Sequence, residues 1–131
     1  MDAGAVLVAE DEPALLKIIR TTLQQAGYTV LEAGSAQDAL AAAARHDGSL
    51  DLLLTDVIMP EMNGRDLYEK IAASHPEIRV IFMSGYSADV FRESSARKEE
   101  LPFLSKPFSM QQLSVKVREA LDMNRSKEER S

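Results

Sequence analysis

Leu52-Leu53-Leu54-Thr55-Asp56-Val57-Ile58-Met59-Pro60 is an apolar run that ends in a lone carboxylate and runs into Pro60, Asn63 and Gly64. An unbroken apolar strand is covered on both faces, as in the middle of a parallel sheet. Asp56 then falls where the strand leaves the sheet, at the edge where open α/β folds place their ligands. By itself the residue reads equally well as a turn or cap, both common roles for Asp.

Working outward, the same grammar recurs. Ala5 to Ala9 is a second apolar run, stopped by Glu10, Asp11 and Glu12. Pro13 suits a first helical turn, and Leu15, Ile18, Ile19, Leu23 and Ala26 keep helical spacing up to a stop at Gly27. Tyr28–Ala33 reads as a strand, and Ser35 with Asp38 as a shortened capping box before an alanine-rich helix, Ala36–Arg45. Leu67, Tyr68, Ile71 and Ala72 form another apolar face, ended by His75-Pro76. Ile78–Met83 is a strand closing on Ser84-Gly85. Ala88–Glu100 predicts a short, weakly amphipathic fourth helix, and Pro102–Ser105 a brief last strand before Lys106-Pro107. Ser109 and Gln112 box the start of a fifth helix lined by Leu113, Val117, Ala120 and Leu121. The polar stretch from Asn124 is expected to fray.

Five strands alternating with five helices predict an α/β fold: a single doubly wound (βα)5 parallel sheet with right-handed crossovers. The 131 residues hold one such domain, expected over residues 1–123, with 124–131 a disordered tail. Composition narrows the function. The net charge of −6 and the scattered Lys and Arg argue against direct nucleic-acid binding. No stretch approaches the roughly 18 apolar residues of a membrane span, and no leader pattern opens the chain. The absence of cysteine rules out disulfides and thiolate metal sites and suits a cytoplasmic setting. His46 and His75 fall near predicted helix ends and do not pair as metal ligands.

In a parallel sheet all strand C-termini share one edge. That edge collects Glu10 and Asp11, Asp56, Ser84 and Lys106 from four different strands. Each alone has an ordinary explanation as a cap, a turn or a solvated amine; their coincidence is harder to explain so. Clustered carboxylates repel unless protonated or bridged by a cation, and an oxygen-only donor set suits Mg²⁺. A carboxylate there can attack phosphorus, with Lys106 balancing charge and Ser84 donating to a phosphoryl oxygen.

Val8-Ala9-Glu10-Asp11-Glu12-Pro13, Leu54 through Gly64, Met83-Ser84-Gly85 and Lys106-Pro107-Phe108 together resemble the receiver domain of two-component response regulators. The wording Phe82–Tyr86 and Pro102–Phe108 most resembles receivers of hybrid sensor histidine kinases. The resemblance implies a flavodoxin-like sheet of strand order 2-1-3-4-5. It implies that Asp56 accepts a phosphoryl group from a phosphohistidine on a histidine kinase or histidine phosphotransfer protein. It further implies that Asp11, Asp56 and the Ile58 carbonyl bind Mg²⁺, Glu10 acting through water. Ser84 and Lys106 would hold the phosphoryl oxygens, and the Lys106–Pro107 bond would be cis. The readout would be the surface of the fourth helix, fifth strand and fifth helix, where a homodimer could also form. Glu10 stands where Asp is commoner in the family, Ser84 where Thr is frequent, and Phe103 where many members carry a switching Tyr. The bulky Ile58 and Tyr86 are expected to flank the site, exclude water and lengthen the life of a phosphoaspartate. Two rivals remain: a small Mg²⁺-dependent phosphatase using an aspartyl nucleophile, and a phosphorylation-independent interaction module.

Overall fold

The apolar runs become strands because both of their faces find cover. A computed structural model describes residues 4–84 and 103–130, with side chains through residue 122. The elements are β1 (Ala5–Ala9), α1 (Pro13–Gln25), β2 (Thr29–Ala33), α2 (Ala36–Arg45), β3 (Leu52–Asp56), α3 (Gly64–Ser74), β4 (Arg79–Ser84), β5 (Phe103–Ser105) and α4 (Met110–Arg130). All pair in parallel in the order β2-β1-β3-β4-β5, the doubly wound sheet expected from the sequence.

Alternate residues of each inner strand feed two separate cores. Leu7, Leu53, Val80 and Phe82 point to one side, with Ala39 and Ala43 of α2 and Leu67 and Ile71 of α3. Val6, Val8, Leu52, Leu54, Ile81 and Met83 point to the other, with Ile19 and Leu23 of α1 and Leu113, Val117 and Leu121 of α4. Truncating one such leucine to alanine costs about 2–5 kcal/mol. With the faces filled, the carboxyl edge is left for chemistry.

The helix starts are set locally. Pro13 opens α1 at its first position. Ser35 Oγ accepts from Asp38 N at 3.0 Å, a cap in one direction, consistent with the short Asp side chain. Ser109 and Gln112 make the full reciprocal box, at 2.8 and 3.0 Å. Gly27, with φ of 101°, turns the chain after α1 as only glycine does without strain.

The helix expected over Ala88–Glu100 lies outside the described residues, and the helix named fifth in the sequence is therefore α4 here. The frayed tail expected from Asn124 is instead helical to Arg130. Polarity removes packing partners, but Arg125, Lys127, Glu128, Glu129 and Arg130 are good helix formers that extend a helix already nucleated by its packed first turns.

A candidate phosphoacceptor and cation site at the carboxyl edge

Register brings the site together. Ala9 pairs with Thr55 and Asp56 with Met83, so β1, β3 and β4 end almost level. Glu10 N then donates to Ala33 O at 3.0 Å, and Val57 N to Met83 O at 3.0 Å, which carries the order of the sheet one residue into the loops. Lys106 N donates to Ser84 O at 2.7 Å and ties the end of β5 to β4. The Lys106–Pro107 bond is cis.

The side chains converge on Asp56, which is only 4% exposed. Carboxylate oxygens of Glu10, Asp11 and Asp56 lie within 4.8 Å of one another, Glu10 and Asp56 buried and Asp11 exposed. Lys106 Nζ stands 2.7 Å from Asp56 Oδ1 and 2.9 Å from Glu10 Oε1. Glu10 Oε2 accepts from the backbone N–H of Glu12 at 2.9 Å. Ser84 Oγ and Asp56 Oδ2 are buried and find no hydrogen-bond partner among the described residues.

Burial is the largest influence on Asp56 and raises its carboxyl from 3.8 to about 7. The hydrogen bond from Lys106 opposes it, and the negative charge of Glu10 reinforces it. For Lys106, burial alone would lower the ammonium, but its hydrogen bonds to Asp56 and Glu10 outweigh that and hold it above its ordinary value. Once Asp56 is ionised, three carboxylates against the Lys106 ammonium leave two negative charges among these described residues, which a divalent cation would balance. The donors are all hard oxygens, and one of them, Asp56 Oδ2, is buried without a partner. That set fits Mg²⁺.

Glu10, Asp11, Asp56, Ser84 and Lys106 lie at or just beyond the ends of their strands on this edge. Ile58 is 65% exposed in the loop between β3 and α3. Phe103, half-buried in β5, meets Phe82 with ring centroids 5.7 Å apart. Tyr86 lies outside the described residues.

Gly64, Asn63 and Thr55 have tasks here that the sequence alone does not assign. A Cβ on Gly64 would collide with the backbone carbonyl oxygen of Asp56. Gly64 N also donates to Val57 O at 2.7 Å, so the start of α3 presses against the back of the acceptor loop. Asn63 Oδ1 caps that helix through Asp66 N at 2.8 Å. The buried Thr55 hydroxyl donates to Asp56 O at 3.0 Å. Asn63-Gly64 was visible as a turn, and an Asn three residues before Asp66 was the available sign of a cap.

Fold and site together define an α/β domain whose carboxyl edge gathers three carboxylates, an ammonium and a hydroxyl. The chain belongs to the response regulator receiver family of two-component systems: the family model for the response regulator receiver domain matches residues 6–118. It is 40% identical over 120 residues to the sensor kinase CckA of Brucella abortus, covering 92% of this chain and 13% of that protein. It is 34% identical over 124 residues to the DNA-binding transcriptional regulator NtrC of Azospirillum brasilense, covering 95% of this chain and 25% of the relative. The crystal structure of the receiver domain from the hybrid histidine kinase CckA superposes with a TM-score of 0.74 at 31% identity, covering 90% of this chain and 99% of that one. The chain thus spans an eighth to a quarter of these two full-length relatives. Among the described residues no helix is long and apolar enough to cross a membrane.

Proposed function

We propose that Asp56 is the phosphoacceptor of this receiver. The observation that carries the proposal is the buried Asp56 Oδ2, without a hydrogen-bond partner among the described residues, on a carboxylate whose other oxygen is held by Lys106 and which lies near carboxylate oxygens of Glu10 and Asp11. In the transfer, an Asp56 oxygen forms a bond to phosphorus of a phosphohistidine as the phosphorus–nitrogen bond breaks. The electron pair stays on the departing imidazole, and a proton from solvent neutralises it. Lys106 and Ser84 turn to the phosphoryl oxygens. Asp11, Asp56 and the Ile58 carbonyl would hold Mg²⁺, with Glu10 behind them, and the bound ion would offset the charge of the incoming group.

The domain, bounded near residue 123, acts as a signalling module and not as an enzyme on diffusible substrates. Its donor is a histidine kinase or a histidine phosphotransfer protein in the cytoplasm, and the likeness to CckA favours the receiver of a hybrid kinase. Incubation of the full chain with Mg²⁺ and phosphoramidate, followed by intact mass, tests this. A gain of about 80 Da that Asp56→Asn abolishes is expected. No gain, or one that persists in the variant, overturns the assignment.

A further inference from the structure

Thr55 breaks the apolar run of β3 one residue before the acceptor. Leu52, Leu53 and Leu54 precede it, and Thr55 is as fully buried as they are, at 0% exposed. Valine would fill the same space with the same β-branched shape and would leave no hydroxyl to desolvate. Packing and strand propensity alone therefore do not account for a threonine here. Both branches of the side chain are in use. The hydroxyl donates to the backbone carbonyl of Asp56 at 3.0 Å. The methyl, Cγ2, faces Gly64 and stands 3.2 Å from where a Cβ on that residue would lie.

The peptide unit that leaves Asp56 is thus held at both ends. Its carbonyl takes the Thr55 hydroxyl, and its N–H, that of Val57, donates to Met83 O at 3.0 Å. The next carbonyl, Val57 O, takes Gly64 N–H at 2.7 Å. A peptide tied in this way resists rotation about ψ of Asp56, and backbone angles decide which rotamers a side chain can adopt. We propose that Thr55 is a positioning residue for phosphoryl acceptance: its hydroxyl fixes the Asp56 peptide and so presets the direction of the acceptor carboxylate. The proposal rests on Asp56 being the phosphoacceptor and names what holds its backbone still. An acceptor aimed before the donor arrives has less orientational freedom to lose on the way to the transition state.

The test uses the full chain as wild type, Thr55→Val, Thr55→Ser and Thr55→Ala. Valine keeps the shape and loses the hydroxyl, serine keeps the hydroxyl and loses the methyl, and alanine loses both. At saturating Mg²⁺, phosphorylation by phosphoramidate, followed by intact mass, is expected to slow about fivefold in Thr55→Val and Thr55→Ala alike. Thr55→Ser is expected to recover most of the rate. Urea denaturation is expected to rank Thr55→Ala well below Thr55→Val, for the cavity it leaves beside Gly64, so the rates follow the hydroxyl and not the stability. In metal-free protein labelled with ¹³C at aspartate carbonyls, the backbone resonance of Asp56, assigned by its loss in Asp56→Asn, is expected to shift in Thr55→Val and to stay nearly in place in Thr55→Ser. A Thr55→Val chain as fast as wild type, a Thr55→Ser chain as slow as Thr55→Ala, or an unmoved Asp56 carbonyl in Thr55→Val overturns the proposal. Should Thr55→Val fail to fold, Thr55→Ala and Thr55→Ser differ by the same single oxygen, and equal rates there overturn it equally. Failure of the phosphoacceptor reading shows separately, as a wild-type chain that gains no phosphoryl mass while its Asp56 carbonyl still responds to loss of the Thr55 hydroxyl.

Discussion

Asp56, Lys106 and Ile58 differ sharply in exposure. Asp56 is buried, Lys106 is partly covered, and Ile58 stands open to solvent in the loop that begins beside Asp56. An apolar, β-branched side chain there offers attacking water no hydrogen bond, whereas an amide would orient it. Ile58→Asn is therefore expected to shorten the phosphoaspartate lifetime by on the order of tenfold, equal to about 1.4 kcal/mol off the barrier to hydrolysis. Following the decay of the phosphorylated mass after removal of donor measures this, and equal lifetimes would refute the role. Phe103 belongs to the same scale. Its ring rests on Phe82 and lacks a hydroxyl, so any movement on activation changes packing without making a tyrosine-type hydrogen bond.

At the scale of elements, what the sequence disclosed and what it hid have separate physical causes. The strands were legible because Leu52–Leu54 and Val6–Val8 are apolar at every position, which only a strand covered on both faces requires. The convergence of Glu10, Asp11, Asp56, Ser84 and Lys106 followed from that, since parallel strands end on one edge. Hidden were contacts that no local pattern encodes. Glu10 and Lys106 are 96 residues apart, and the split use of the Glu10 oxygens depends on their separation in space. Gly64 read as a turn, yet its requirement comes from the Asp56 carbonyl behind it. The polar end of α4 read as frayed because composition reports on packing partners more directly than on helix geometry. Gly64→Ala sharpens the point. The added methyl meets rigid backbone on β3 and not the end of a flexible side chain, so α3 or the acceptor loop must move. A loss of about 1–3 kcal/mol in urea denaturation is expected, together with slower phosphorylation. An unchanged midpoint would show that α3 shifts without cost.

For the whole molecule, the two cores fix the sheet while its carboxyl edge gathers more carboxylates than ammonium groups among the described residues. The linkage to pH follows from Asp56. In the unfolded chain its carboxyl titrates near 3.8, and in the fold near 7, raised by burial above all. Below about pH 4 both states are protonated and the buried group costs little. Between the two values the unfolded chain is ionised and the fold is not, so folding takes up a proton and stability declines as pH rises. Above 7 both states are ionised and this contribution levels off at its least favourable. With chelator present, the Tm of wild type is therefore expected to fall between about pH 5 and 7.5, by on the order of 5 °C, relative to Asp56→Asn, which has no carboxyl there to titrate. Mg²⁺ needs the ionised form, so the stabilisation it gives should grow through the same window, larger at pH 8 than at pH 6. Thermal melts of both proteins with and without the ion across that range decide the matter. Parallel pH profiles for wild type and Asp56→Asn would mean that Lys106 already neutralises the site, and that a cation is recruited by the phosphoryl group instead of by the carboxylates.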